Sequence, residues 1–356
     1  LFDAPGPGVN PEAMRTELRE LLSGMTAQAA PVSTRHAERL ALDHYGIEAI
    51  AQRLTGERDE NFQLQASDGA MYVLKIANPL EERTFLELLT AALLHVERAD
   101  PTLPCPHVQR NLSGQSQTEV LDEAGTVRSA RMLTWVAGKP LRMSQRSANQ
   151  RRHCGAVAAR LSLALRDFSH PASHRPIVWN LCHLPKMQEL LQELPDFPRA
   201  DLIAGFIAHF DAEITPRLAT VRQQVTHNDL NDRNILVADG DDDRIAGLID
   251  FGDTVHTALV ADVAIMMAEQ IREPHEIEPV VADLLAGYES VTPLLESEVA
   301  ILRELIVARI VMSAVIPSWH RHRNPTNTHY ARVTREFVGK RMLIAETLLA
   351  TAKRPA

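Results

Sequence analysis

Cysteine is scarce in this sequence: Cys105, Cys154 and Cys182 are the only three in 356 residues. Their odd number and wide spacing fit neither a disulfide framework nor a C-x-x-C metal pattern, so a reducing, cytoplasmic setting is expected. Long apolar runs are missing too. No stretch approaches the ~20 residues that a spanning helix needs, and no basic segment followed by an apolar core opens the chain, so neither a membrane nor export is expected. Positive charge is also short, with 37 Lys and Arg against 46 Asp and Glu and a formal charge of -9. That balance repels a polyanion and argues against nucleic acid as a partner, while a cationic or amine-bearing small molecule is tolerated. His153, His170, His174 and His183 lie in a stretch broken by Pro171 and Pro185, which removes the regular helix that a paired-histidine metal site requires.

The remaining composition, 45% hydrophobic and 23% charged, is that of an ordinary globular chain long enough for two domains. Asn10-Pro11-Glu12 reads as a helix start, with a capping amide, Pro at the first helical position and an acidic first turn, so residues 1–30 are expected to hold an accessory helix. Residues 49–54, 62–66 and 70–76 read as antiparallel strands, the last two joined by the turn signal Ser67-Asp68-Gly69. After Pro79, Phe85, Leu88, Leu89, Ala92 and Val96 recur at helical spacing. Residues 117–121 and 127–136 are again extended and end at Gly138-Lys139-Pro140, a breaker cluster suited to a hinge. Helical patterns then dominate over 150–166, 201–224, 259–269, 279–288, 298–315 and 330–351. Two short extended pieces, 235–238 and 245–249, flank the acidic turn at 239–243. An α+β chain with a β-rich lobe over 31–136 and an α-rich lobe over 137–356 is the expected architecture.

The chemistry concentrates in Thr226-His227-Asn228-Asp229-Leu230-Asn231-Asp232-Arg233-Asn234, followed by Ile249-Asp250-Phe251-Gly252-Asp253. This is H-x-D-x-x-x-x-N and then D-F-G. In phosphoryl transfer the first Asp accepts the proton of the acceptor hydroxyl, while the Asn and the second Asp ligate Mg²⁺ bridging the nucleotide phosphates. Asp and Asn are also common in turns, and a lone D-F-G would mean little. The two motifs in order, close together and flanked by apolar strand-like segments, point to Asp229 as base and to Asn234 and Asp250 as metal ligands.

These segments resemble the aminoglycoside phosphotransferase and choline kinase superfamily, from about residue 34 to the C-terminus. Within it the likeness is to hydroxylysine-kinase-like proteins, through Tyr72-Val73-Leu74-Lys75-Ile76-Ala77-Asn78-Pro79, His227-Asn228-Asp229 in place of H-G-D, and Leu248-Ile249-Asp250-Phe251-Gly252-Asp253. The resemblance implies a bilobal protein-kinase-like fold and an ATP- or GTP-dependent kinase of a small hydroxyl compound that often carries an amine. It implies that Lys75 contacts the α- and β-phosphates, that Glu87 orients that lysine, and that the backbone of Thr134, Trp135 and Val136 reads the purine edge with Trp135 beside the base. Asp262 is expected to brace the catalytic loop. At Trp179-Asn180 an amide stands where related sequences carry a carboxylate, which leaves the acceptor open among hydroxylysine, amino alcohols, homoserine and sugars. A G-x-G-x-x-G loop is absent, only Gly56 preceding Glu57-Arg58-Asp59-Glu60-Asn61, so Arg58 or the amides near Asn61 cover the phosphates or the segment is a charged hairpin tip. That irregularity motivates a second reading, a silent nucleotide-binding regulatory module, and an antibiotic phosphotransferase is a third. Intact Lys75, Asp229, Asn234 and Asp250 argue against silence, and the lack of an A-P-E segment argues against a protein kinase.

Overall fold

A computed structural model of the chain describes residues 22, 30–56, 59–324 and 333–351. The accessory helix expected within 1–30 falls outside the described residues except for Leu22 and Ala30, and Arg58 lies outside them altogether. The first described helix, α1 (Thr34–Tyr45), starts where the Ser33 hydroxyl accepts the His36 N–H at 3.1 Å and stops at Gly46 in the left-handed conformation. Strands β1 (Ala49–Leu54), β2 (Glu60–Ala66) and β3 (Met71–Ile76) form an antiparallel meander. Helix α2 (Arg83–Ala99) follows, then β4 (Val108–Gln109), β5 (Thr118–Leu121) and β6 (Val127–Thr134). The sheet order is β1-β2-β3-β6-β4, with β5 also along β6.

Alternation along β3 decides which side chains reach the chemistry. Leu74 and Ile76 are fully buried with Phe62, Leu64 and Met132 in a core that α1 closes, each such side chain contributing about 1.5–3 kcal/mol by leaving water. Lys75, between them, projects from the opposite face, in register with Asn61 on one side and Arg131 on the other.

Gly138-Lys139-Pro140 already belongs to the second half, since β7 (Lys139–Pro140) pairs with a strand beyond the catalytic loop. Gly138 has φ 140°, and a Cβ there would sit 2.5 Å from the Val237 carbonyl oxygen, so only glycine allows this approach. Helices α3 (Ala148–Ala164), α4 (Met187–Gln192), α5 (Ala200–His209) and α6 (Thr215–Leu218) come next. They precede β8 (Gln223–Thr226), β9 (Ile235–Ala238), β10 (Asp241–Leu248) and β11 (Val255–Ala258). Helices α7 (Val260–Gln270), α8 (Ile277–Glu289), α9 (Glu296–Arg323) and α10 (Arg335–Thr351) complete the described chain.

The single helix expected over 201–224 is corrected. A π turn at Phe210–Ile214 interrupts it, and Gln223–Thr226 is extended because it pairs with β11, a tertiary partner that overrides local preference. Of the four histidines in the proline-broken stretch, His153 lies on α3, while His170, His174 and His183 cap or sit in 3₁₀ turns at Pro171–His174 and Leu181–Lys186. A second, larger core joins α3, α7, α8, α9 and α10, and it takes Ala92, Leu93 and Val96 from α2, so that helix ties the sheet to the helical half. Among the described residues no helix is long and apolar enough to cross a membrane.

Candidate active site

The loop between β8 and β9 carries the first motif, and backbone hydrogen bonds from a neighbouring helix set its shape. Asp262, in the first turn of α7, accepts the N–H of His227 on Oδ2 at 2.9 Å and that of Asn228 on Oδ1 at 2.6 Å. Asn228 is fully buried with φ 64°, a conformation a non-glycine residue holds only when its surroundings fix it. The fully buried His227 accepts the Asp229 N–H on Nδ1 at 3.2 Å, so Nε2 carries the proton and donates to the Ile249 carbonyl at 3.1 Å. Burial holds this imidazole below its ordinary pKa, which keeps it neutral as the bracing role requires.

Every carboxylate contact of Asp229 is specific. Oδ2 accepts from Asn231 Nδ2 at 2.8 Å and from Asn234 Nδ2 at 2.7 Å, while Oδ1 accepts from Arg309 Nη2 at 2.9 Å. Burial raises the Asp229 carboxyl to about 6, with Arg309 and the Asn231 hydrogen bond pulling it down and Asp250 and Glu269 pushing it up. Asn234 Nδ2 also donates to the Asp229 carbonyl at 3.0 Å, which fixes the amide's orientation and leaves Oδ1 as its unused acceptor.

Asp250 returns to the same place because the Ile249 N–H bonds the Asn234 carbonyl at 2.9 Å. Its backbone is also left-handed, φ 64°, and its side chain is 54% exposed. Oδ1 meets Lys75 Nζ at 3.2 Å, and the lysine charge holds this carboxyl below its ordinary range, with Arg131 contributing from the neighbouring strand. One carboxylate and one amide oxygen, each with an acceptor position left over, form a hard donor set that suits Mg²⁺ retaining several of its own waters. Among the described residues no group of three or more His, Cys, Asp and Glu is arranged to hold a metal.

Two of the remaining expectations come out differently from each other. Thr134, Trp135 and Val136 line a cleft of about 470 Å³ together with His107, Ala238 and Arg244. The Thr134 N–H goes to the His107 carbonyl at 2.9 Å and the Trp135 N–H to the Met71 carbonyl at 3.0 Å, leaving the Val136 N–H without a protein partner among the described residues. Glu87 is corrected: its Oε1 pairs with Arg83 Nε at 3.0 Å one helical turn away, with the carboxylate 46% exposed, while Lys75 takes Asp250. The apolar stripe of α2 faces inward through Phe85, Leu88, Leu89 and Ala92, and Glu87 lies off it.

Sequence reasoning missed Arg309 and Glu269. Arg309 is the lone charge in the apolar run 305–312 of α9, and Glu269 closes the apolar run of α7, so each is an isolated ionisable group in a buried helix. Arg309 Nε donates to Glu269 Oε1 at 2.9 Å, and its guanidinium carbon lies 5.0 Å from the Trp179 ring centroid. Asn180, beside that tryptophan, is buried; it caps the 3₁₀ turn through Cys182 and accepts from Thr257, which is a structural post.

The model of the phosphotransferase enzyme family matches residues 50–296. Hydroxylysine kinase of Mus musculus is 30% identical over 332 residues, covering 86% of this chain and 88% of its own length. Homoserine kinase of Methylobacillus flagellatus is 29% identical over 203 residues, 56% of each chain. A solved microcompartment-associated aminopropanol kinase shares the fold with a TM-score of 0.63 at 17% identity, over 90% of this chain and 98% of its own. The bilobal protein-kinase-like fold expected from the sequence is therefore the fold found, and the chain belongs to the phosphotransferase enzyme family as a small-molecule kinase that takes phosphate from a nucleotide and gives it to a hydroxyl group.

Proposed function

We propose that the chain transfers the γ-phosphate of ATP or GTP, with Mg²⁺, to the hydroxyl of a small amine-bearing metabolite of the hydroxylysine or homoserine type. The observation that carries this reading is the meeting of Asp229, Asn234 and Asp250 at one place, tied by the Asn234–Asp229 and Ile249–Asn234 hydrogen bonds and faced by Lys75. In this reading residues 31–136 hold the nucleotide and 137–356 supply the catalytic loop and the acceptor site. Lys75 neutralises the α- and β-phosphates, and the Val136 N–H together with the neighbouring carbonyls meets the purine edge beside Trp135.

A carboxylate offers about four acceptor sites, and Asp229 has three of them occupied, two on Oδ2 and one on Oδ1. The free site on Oδ1 receives the acceptor O–H. The hydroxyl oxygen forms its bond to the γ-phosphorus as the bond to the leaving nucleoside diphosphate breaks, and the hydroxyl proton passes to Asp229 Oδ1. Asn234 Oδ1 and Asp250 would hold the metal, which would neutralise phosphate charge when bound. A carboxyl near 6 is ionised at neutral pH yet basic enough to take that proton as it is released.

The curated relatives named above act on hydroxylysine and homoserine, which favours a metabolite acceptor over an antibiotic. The test is release of nucleoside diphosphate across a panel of 5-hydroxylysine, homoserine, aminopropanol, ethanolamine, an aminoglycoside and a simple sugar, with ATP and with GTP. Turnover on a hydroxy amino acid is expected; turnover on the aminoglycoside alone, or on none, would end the proposal.

A further inference from the structure

The Asp229 carboxylate is gripped from two sides. Asn231 and Asn234 hold Oδ2 from within its own loop, and Arg309 reaches Oδ1 from α9, a helix outside both motifs. Arg309 is held at Nε, at Nη2 and over a ring, and its buried Nη1 has no hydrogen-bond partner among the described residues. Its side chain is 6% exposed, Nε is fixed by Glu269 and the guanidinium packs by Trp179. Glu269 is steadied in turn. Arg341 of α10 donates Nη1 to the Ala268 carbonyl at 2.8 Å and Nη2 to Ser313 Oγ at 2.9 Å, and its Nη2 lies 3.9 Å from Glu269.

Glu269 and Asp262 are seven residues apart on α7, two helical turns, and so share one face. The same helix thus holds the catalytic loop twice, through the backbone at Asp262 and through the carboxylate by way of Glu269 and Arg309. Had the charges served only to pack α7 against α9, the Arg309–Glu269 pair would suffice, and the second guanidinium nitrogen would not be directed at Asp229.

We propose that Arg309 is a positioning residue for phosphoryl transfer: its Nη2 sets the plane of the Asp229 carboxylate so that the free site on Oδ1 meets the acceptor hydroxyl. Helices α7 and α10 hold Arg309 in that place through Glu269 and Arg341. The inference rests on the reading of Asp229 as the base. A reacting group displaced by about 1 Å loses about a hundredfold in rate, and a group held indirectly typically costs 10–100-fold when its holder is removed, so the effect falls on kcat.

The experiment begins with a wild-type enzyme turning over a hydroxy amino acid, and then compares Arg309→Met, Arg309→Lys, Glu269→Gln and the double variant Asp229→Asn/Arg309→Met. Arg309→Met is expected to lower kcat by about 10–100-fold, with the nucleotide Kd and the acceptor KM changed by less than about twofold. Arg309→Lys restores part of the loss, since one ammonium reaches a carboxylate but does not bridge two with fixed geometry. In the Asp229→Asn background, Arg309→Met changes the residual rate no further. An unchanged kcat in Arg309→Met overturns the proposal, as does an equal fall in the Asp229→Asn background. A raised acceptor KM at constant kcat also overturns it, and would make Arg309 a substrate-binding group. If Arg309→Met fails to fold, Glu269→Gln decides, with a several-fold fall in kcat expected and no change contradicting the chain of contacts. Wild-type inactivity on every acceptor would instead remove the base reading and this inference with it.

Discussion

Asp262→Ala isolates the bracing of the catalytic loop. The wild-type carboxylate, 8% exposed, accepts two backbone N–H groups at 2.9 and 2.6 Å, one of them from the left-handed and fully buried Asn228. Alanine offers neither acceptor and leaves two buried donors unsatisfied at about 1–3 kcal/mol each, so the loss is about 2–6 kcal/mol. Against the ~5–15 kcal/mol of a typical domain, that places the variant near the limit of folding. Asp262→Asn keeps one carbonyl oxygen and should lose about half as much, about 1–3 kcal/mol, which leaves a folded protein for kinetics. Urea unfolding followed by tryptophan fluorescence gives the free energies, since Trp135 and Trp179 lie in the two halves of the molecule. The expected order is wild type, then Asn, then Ala, with kcat falling in Asp262→Asn while nucleotide affinity holds. An Asp262→Ala midpoint equal to that of wild type at the same m-value would refute the bracing role.

With Asp229 near 6 and required as the anion, kcat/KM should fall as pH drops through about 6, and a midpoint near the ordinary carboxylate value of about 4 would contradict its burial and coupling. Glu87→Ala should leave kcat and nucleotide affinity unchanged, because the exposed Arg83 pair contributes about 0–1 kcal/mol; a tenfold loss of nucleotide affinity would return Glu87 to the lysine. Asp250→Ala should weaken nucleotide binding in the presence of Mg²⁺ and make little difference in its absence, as measured by calorimetry. Equal affinities with Mg²⁺ would remove Asp250 from the metal.

What the sequence revealed and what it hid follow from how far apart the cooperating residues lie. Asp229 and Asn234 share one loop, so the H-x-D-x-x-x-x-N spacing is enough to point to phosphoryl transfer, and the Asp68-Gly69 turn marks the hairpin that β2 and β3 form. Arg309 stands 80 residues beyond Asp229 on another helix. Only its isolation in an apolar run marked it, and such isolation does not name a partner. Gln223 and Gln224 fall at the end of the helical pattern over 201–224 because the strand character of Gln223–Thr226 exists only through β11. For Glu87 the resemblance points inward to Lys75, whereas the apolar stripe of α2, legible in the sequence, turns it outward.

The most direct measurement is single-turnover phosphoryl transfer by Asp229→Asn with saturating Mg²⁺-nucleotide and a hydroxy amino acid, paired with the nucleotide Kd of the same protein. The side chain keeps its shape but loses the charge that accepts the hydroxyl proton. Transfer should fall by about 10²–10⁴-fold while the nucleotide Kd stays within about twofold of wild type. Transfer at the wild-type rate would contradict Asp229 as the base.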